Sequence, residues 1–277
     1  MNYKDFKIID SHCHIFPDVI AKKATDSIDI FYGISASGKI DGCAFVGTAE
    51  NLIKQCDEIG VERCLVTSVA TTPHHAQSIN AYISSEVALY PERFIGFGSL
   101  HPESETLAED VEHLIETGLK GVKLHPDIQN FKVDDPKVLR IFELCEKNNL
   151  PVLLHTGDSR FDNSNPNRVT TVLQKFPNLT IIGAHFGGWS IWEKATEELS
   201  EYKNFYVDTC SSFYALEKET AKKLIRTYGA DKVIFGTDYP MWKQKEELEY
   251  LFSLGLSKEE LEDILYDNII KVLHIEG

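Results

Sequence analysis

The sequence lacks the cysteine arrangement of a disulfide or zinc-ribbon framework. Its six cysteines stand singly, without a Cys-x-x-Cys pair, at Cys13, Cys43, Cys56, Cys64, Cys145 and Cys210. Scattered thiols of this kind are typical of proteins kept in a reducing compartment. The sequence also lacks an apolar N-terminal signal segment and any apolar run near the roughly 18 residues of a membrane span. We therefore expect a cytoplasmic protein without a membrane segment.

Basic residues are also scarce. There are 28 lysines and arginines against 43 aspartates and glutamates, which gives a formal net charge of -15. A chain of this charge repels a phosphate backbone or an anionic membrane surface. Nucleic-acid binding is thereby excluded as the main function, and a small molecule is the expected partner. An anionic substrate would need local cations in its pocket.

The glycine-rich loops of nucleotide-binding folds are missing as well. After the first predicted strand, where a dinucleotide-binding fold would carry its glycine fingerprint, the chain reads Asp10-Ser11-His12-Cys13-His14. No Walker-type loop is present. An open doubly wound sheet stays the alternative fold, without its usual cofactor signature.

Short β-branched runs alternate with amphipathic helical segments along the whole chain. The predicted strands are residues 6–12, 63–69, 93–100, 121–125, 151–155, 180–185, 204–209 and 232–237. The predicted helices are residues 51–59, 76–90, 107–117, 138–148, 169–176, 191–202, 216–228 and 243–252. Eight such units indicate parallel strands joined by right-handed crossovers and favour a closed (β/α)8 TIM barrel, an α/β fold. We expect one barrel domain over residues 1–277, with a long first βα loop at residues 16–48.

The end of the chain carries a helix signal beyond these eight units. Ser257 and Glu260 form a capping-box pattern, which predicts an extra C-terminal helix over residues 258–273.

Histidines recur where the predicted strands end. His12 and His14 are one residue apart, so on a strand both imidazoles leave the same face, which Asp10 shares, and can bind one metal together. Taken alone, this pair fits an ordinary polar strand end equally well. His155 and His185 end two later strands. Cys13, between the first two histidines, points to the opposite face and is expected to be a packed small side chain.

A carboxylate completes this set. Asp238 follows the last predicted strand, where its alternative role is to cap the turn before Pro240. Because the carboxyl ends of barrel strands share one face, these residues are expected to converge. Three histidines and a carboxylate are typical of a zinc-type site with an open position for water.

The sequence resembles the amidohydrolase superfamily, and within it the group that includes aminocarboxymuconate-semialdehyde decarboxylase and related metal-dependent hydrolases. Four motifs carry the resemblance, in the family's order along the chain. They are Asp10-Ser11-His12-Cys13-His14, Gly121-Val122-Lys123-Leu124-His125-Pro126, Ala184-His185-Phe186-Gly187-Gly188 and Gly236-Thr237-Asp238-Tyr239-Pro240.

The resemblance implies roles for these residues. His12, His14 and His155 are implied as metal ligands, Asp238 as a ligand that also takes the proton of a metal-bound water, and His185 as a neighbouring acid or base. One divalent ion is expected, by preference Zn²⁺, with Mn²⁺ or another divalent ion as the alternative. Lys123 either binds a substrate anion or, if it is carboxylated, bridges two metals.

Substrate contacts are expected from the loop after the fifth strand and from the loop after His185. Arg160 and Arg168 offer guanidinium groups for a carboxylate, and Trp189 offers an aromatic wall. The alternative is that these side chains only pack or are solvated. Asp208 is expected to orient a ligand histidine, and His101 and His125 are expected to be structural or to support the ligands.

Three functions remain open at this point. The first is hydrolysis of a C–N or C–O bond next to a carbonyl by metal-activated water. The second is non-oxidative decarboxylation of a small aromatic or unsaturated acid. The third is a metal-binding barrel without catalysis, which Asp238 and His185 disfavour. Barrels of this group often pair, but no sequence feature decides whether this chain forms a homodimer.

Overall fold

The computed structural model describes residues 1–33 and 42–275, and the part of the first predicted loop at residues 34–41 lies outside them. The strands are β1 (Ile9–His14), β2 (Arg63–Thr67), β3 (Phe94–Gly96), β4 (Gly98–Ser99), β5 (Val122–Leu124), β6 (Val152–Leu154), β7 (Ile181–Gly183), β8 (Phe205–Asp208) and β9 (Val233–Ile234). The helices before β5 are α1 (Asp18–Tyr32), α2 (Ala49–Ile59), α3 (Pro73–Leu89) and α4 (Leu107–Glu116). Those after it are α5 (Pro126–Gln129), α6 (Pro136–Lys147), α7 (Pro166–Lys175), α8 (Trp192–Leu199), α9 (Lys218–Tyr228), α10 (Gln244–Ser253), α11 (Lys258–Glu262) and α12 (Asn268–Leu273).

All strand pairs are parallel, and they form a closed barrel. One sheet has the order β1-β2-β3 and the other the order β4-β5-β6-β7-β8-β9. The two sheets are joined at Phe97, whose N–H donates to the carbonyl of Val66 at 2.9 Å. On the other side, the N–H of Ser11 donates to the carbonyl of Phe235 at 3.0 Å. The predicted barrel is confirmed, with the third predicted strand divided into β3 and β4.

Successive side chains of the strands point alternately into the barrel and towards the surrounding helices, and both sets are buried. Ile9, Leu65, Leu153 and Ile182 belong to one buried cluster, as expected for residues that fill a barrel. Ile269 of α12 packs into the same cluster, so the C-terminal helix helps to close the barrel interior.

The strand side chains that point away from the barrel interior pack between the strands and the helices. Cys13 lies there with Cys56 and Cys64, fully buried, as expected for a small packed side chain.

The first βα connection is long, as predicted, but it contains a helix that the sequence analysis did not predict. Residues expected to be a loop form α1, a helix of 15 residues that ends at Gly33 with a left-handed backbone, φ 60°. Ile20, Ala24 and Ile28 follow each other at intervals of four, the spacing of one helix face. This face does not enter the main core, since Ile20 is 48% exposed. It lines a cavity instead.

The C-terminal helix is confirmed with one irregularity. Ser257 and Glu260 make both hydrogen bonds of the capping box. A π-helical turn at Asp263–Asp267 separates α11 from α12. Within residues 1–33 and 42–275, no helix is both long and apolar enough to cross a bilayer.

Candidate metal-binding active site

Three of the predicted ligands lie together where the barrel strands end. The Nε2 atoms of His12 and His14 are 3.2 Å apart. Oδ1 of Asp238 lies 3.3 Å from the Nε2 atom of His14 and 3.6 Å from that of His12. Lys123, only 1% exposed, places its Nζ atom 3.0 Å from Nε2 of His12. The structure therefore brings one cation and three ligand-type groups to a single point.

Two further histidines adjoin this point. Nδ1 of His155 lies 2.9 Å from Nε2 of His185. The ring of His185 stacks on that of His12 with centroids 5.9 Å apart. We call His12, His14, His155, His185 and Asp238 the floor cluster. All five are buried or nearly so, so their polar atoms depend on one another rather than on bulk water.

Three of the imidazoles each have an acceptor oxygen next to one ring nitrogen. This nitrogen is the one on the outer side of the floor cluster. Oδ2 of Asp208 is 2.8 Å from Nδ1 of His12, and the carbonyl of Cys210 is 3.1 Å from Nδ1 of His185. Behind His155, Oδ2 of Asp127 lies 3.4 Å from the Nε2 atom. That nitrogen and that oxygen are both buried and make no hydrogen bond, so each is the nearest charged or polar group available to the other.

These acceptors fix where the ring protons belong. A proton on the outward nitrogen leaves a lone pair on the inward nitrogen, which is the arrangement of metal-binding histidines. Several inward lone pairs and a carboxylate then face each other with few protons between them. The donor set of the floor cluster therefore fits a divalent cation.

The protonation states agree with this fit. Burial lowers the pKa of His14 to about 4 and those of His155 and His185 to about 3, so all three imidazoles are neutral at neutral pH. Burial opposes ionisation of Asp238 too, but the neighbouring His12 and His14 hold the pKa of this carboxyl well below its usual value. Neutral imidazoles and an ionised carboxylate are the forms that bind metals.

The backbone at two of these residues is unusual. His185 and Asp238 both have φ 60°, in the left-handed region that non-glycine residues rarely adopt. Hydrogen bonds hold them there: Oδ1 of Asp208 accepts from the N–H of His185 at 2.8 Å, and Ser211 donates to Oδ2 of Asp238 at 2.6 Å. Asp208 thus supports two members of the floor cluster. Backbone strain of this kind is concentrated at functional sites.

A second group, His125, Asp127 and His155, also places ligand-type atoms close together. The rings of His125 and His155 are stacked with centroids 3.9 Å apart and planes within 9° of parallel. An ion between parallel rings would lie outside both ring planes and away from their lone pairs. We therefore assign this group no metal. Nδ1 of His101 accepts from the N–H of Glu103 at 3.2 Å, a turn contact.

A cavity of about 570 Å³ opens above the floor cluster. Its polar end is formed by that cluster, Lys123 and His125. Its walls come from α1, a helix that the sequence analysis did not predict, and from the first part of α3. The sequence signal of α1 is the four-residue spacing of its apolar side chains.

The predicted substrate contacts divide into two groups. Lys123 lines the cavity, whereas Arg160, Arg168 and Trp189 are not among its described lining residues. Arg160 pairs with Asp158 at 2.7 Å.

Arg168 and Trp189 also contact other side chains of the protein. Arg168 pairs with Asp134 at 2.7 Å and with Asp162 at 2.6 Å. Trp189 packs edge-on against the ring of Tyr32, with centroids 5.2 Å apart. Aspartates of the same loop and of the preceding βα loop thus pair with the two guanidinium groups. The substrate contacts of Arg160, Arg168 and Trp189 stay predictions.

The sequence profile of the amidohydrolase family matches residues 9–275. The chain belongs to the amidohydrolase family. This confirms the resemblance carried by the motifs around His12, Lys123, His185 and Asp238.

Individual relatives agree with this membership. A 2-amino-3-carboxymuconate-6-semialdehyde decarboxylase of Dictyostelium discoideum is 28% identical over 205 residues, which cover 60% of this chain and 56% of that protein. The matched segment thus spans little more than half of that curated relative.

Solved structures share the amidohydrolase fold of this chain. An uncharacterised TIM-barrel protein of Bordetella bronchiseptica has a TM-score of 0.81 and 22% identity, covering 97% of this chain and 99% of the other. Another similar structure is a dihydroxybenzoic acid decarboxylase of a Polaromonas species, solved with manganese and the inhibitor 2-nitroresorcinol. It has a TM-score of 0.72 and 18% identity, and the match covers 99% of this chain and 97% of that protein.

Proposed function

We propose that this amidohydrolase-family protein is a metal-dependent decarboxylase, which releases carbon dioxide without oxidation from an aromatic or unsaturated carboxylic acid. One observation carries the proposal: a lysine and a metal-type ligand set lie together at the floor of the cavity, and the lysine and the aspartate of the described lining both belong to this floor. Such a cavity suits an acid with one charged end. The names of two relatives, both decarboxylases, support this reaction over the hydrolysis that we expected first.

His12, His14, His155 and Asp238 would hold one divalent ion. Manganese is supported by the Polaromonas decarboxylase, and zinc by the histidine-rich ligand set. When bound, such an ion supplies positive charge that binds the oxygens of the acid and withdraws electrons from it.

The remaining steps fall to side chains of this chain. Lys123 lies beside His12 and binds the anionic end of the acid. The bond between the reacting carbon and the carboxyl carbon breaks, and its electron pair stays on the reacting carbon. A proton taken up from solvent by Asp238 is then delivered to that carbon as carbon dioxide leaves. His185, fixed by the carbonyl of Cys210, orients the acid.

The products distinguish the two reactions. We expect the purified protein, loaded with Mn²⁺, to release carbon dioxide from at least one member of a panel of hydroxybenzoic and unsaturated acids. No oxygen from ¹⁸O-labelled water should enter the organic product. The matched control is the same protein stripped of metal by a chelator. Labelled oxygen in the organic product would instead establish hydrolysis.

The carboxylate behind His155 provides a test that needs no substrate. Asp127→Asn removes the negative charge that favours a proton on Nε2 of His155, so Nδ1 is less often free to bind metal. We expect Mn²⁺ affinity, measured by competition with a fluorescent chelator, to fall by about 10-fold to 100-fold. Asp134→Asn, which alters only the ion pair with Arg168, is the control and should bind Mn²⁺ normally. Equal affinity in both variants would contradict this role of Asp127.

A further inference from the structure

The cavity is longer than a one-ring acid requires. On α1 its lining runs from Ile20 to Tyr32 and on α3 from His75 to Tyr82. At about 1.5 Å per residue, these stretches extend over about 18 Å and about 10 Å. A one-ring acid, with bonds of about 1.5 Å, is only roughly 7 Å long. The volume of about 570 Å³ also lies within the range of about 300–1,000 Å³ that houses drug-sized ligands.

The part of the cavity between the two helices, which we call the α1/α3 groove, differs in chemistry from the floor. Ile20, Ala24 and Ile28 line it from α1, and Ile79 and Tyr82 line it from α3, with Ser27, His75 and Ser78 as polar members. Among the described lining residues, the lysine and the aspartate both belong to the floor. A second carboxylate on the ligand would find no lysine or arginine of the described lining in this groove.

Exposure and side-chain size indicate that the groove is open. Ile20 is 48% exposed, although a large apolar side chain on a helix facing its own protein is usually covered. Ala24 and Ser78, on the two helices, are small residues that leave space between them. The free energy decreases when an apolar ligand displaces water from the apolar surface of a cavity.

We propose that the substrate is a monocarboxylic acid with a long apolar substituent. Its carboxylate lies at the floor beside Lys123, and its apolar part runs along the α1/α3 groove for about 10 Å or more. This inference rests on the proposed function, because that function places the carboxylate at the floor. The proposal excludes one-ring acids that lack a long apolar substituent, and it excludes small dicarboxylic acids.

Saturated straight-chain acids test the groove without any turnover. We would titrate the Mn²⁺-loaded protein with hexanoate, octanoate and decanoate by calorimetry, below their micelle concentrations. Each methylene buried in the groove should tighten binding by roughly fourfold, so decanoate, with four more methylenes, should bind about 250-fold tighter than hexanoate. Equal dissociation constants for the three acids would overturn the proposal.

Filling the groove provides the matched test. Ala24→Phe and, on the opposite helix, Ser78→Phe should abolish the preference for decanoate while leaving hexanoate affinity within about twofold. Val19→Phe is the control, because Val19 lies on α1 but is 93% exposed and is not among the lining residues. A full chain-length preference in both groove variants would place the apolar chain elsewhere and overturn the proposal. If both groove variants abolish the chain-length preference, but no carbon dioxide is released from hydroxybenzoic and unsaturated acids with or without a long alkyl substituent, the decarboxylase proposal is overturned and the groove proposal is supported.

Discussion

Asp238→Asn is expected to lower the turnover number for carbon dioxide release by about a thousandfold. Asparagine keeps the shape of the side chain, but it cannot take up and deliver the proton that the reacting carbon needs. Positioned proton transfer typically contributes 10²-fold to 10⁴-fold to an enzymatic rate. The hydrogen bond from Ser211 at 2.6 Å can still be accepted by the amide oxygen, so the local geometry should persist. Turnover would be measured with the best acid of the panel, at saturating Mn²⁺.

The control for this variant is Asp231→Asn, the same substitution at an exposed residue just before β9. It should leave the turnover number unchanged. Metal content would be measured for both variants, because Asp238 is also a proposed ligand. An Asp238→Asn protein that holds metal and turns over within tenfold of the unsubstituted protein would contradict the role of this carboxylate.

Metal content should depend as strongly on the two histidines of β1. We expect about one equivalent of divalent ion per chain in the purified protein and less than about a tenth of that in the variant His12→Ala/His14→Ala. The double substitution removes two ligands at once, and each coordinating group accounts for a large part of the affinity of such a site. Elemental analysis of the dialysed proteins provides the measurement.

A double variant of two exposed histidines, His74→Ala/His113→Ala, should keep its full metal content. Two equivalents in the unsubstituted protein would bring in Lys123 as a carboxylated bridge between two ions. A protein that takes up no metal, even when Mn²⁺ or Zn²⁺ is supplied, would refute the proposed chemistry.

The first connection of the barrel illustrates a limit of sequence interpretation. Residues between β1 and α2 are rich in aromatic and small side chains, and the expected long loop is in part the helix α1. Its apolar face lines the cavity rather than the core, so only Ala21 and Thr25 are buried. The helix carries apolar side chains at four-residue intervals, but its position over the floor depends on contacts with distant segments, such as that of the Tyr32 hydroxyl with Nε2 of His125 at 2.8 Å.

The substrate-contact predictions show a second limit. Residue type and a place in a βα loop made Arg160 and Arg168 candidates for binding an anion, but both guanidinium groups are paired with nearby aspartates. Asp158 lies two residues before Arg160 in the same loop, whereas Asp134 reaches Arg168 from the preceding βα loop, a proximity that sequence spacing does not specify. Lys123 was easier to place, because a residue on a barrel strand has its direction fixed by the alternation of side chains.

The sequence by itself determined the barrel and the gathering of histidines and Asp238 at one end of it. Strand order, alternation and the common end of parallel strands are local properties that add up to a predictable arrangement. Only the tertiary structure decided which ring nitrogens face inward, which acceptors stand behind them, and how far the cavity extends between α1 and α3. These features depend on contacts between segments that are distant in the sequence, such as His12 and Asp208, which are 196 residues apart. No local sequence pattern encodes such contacts.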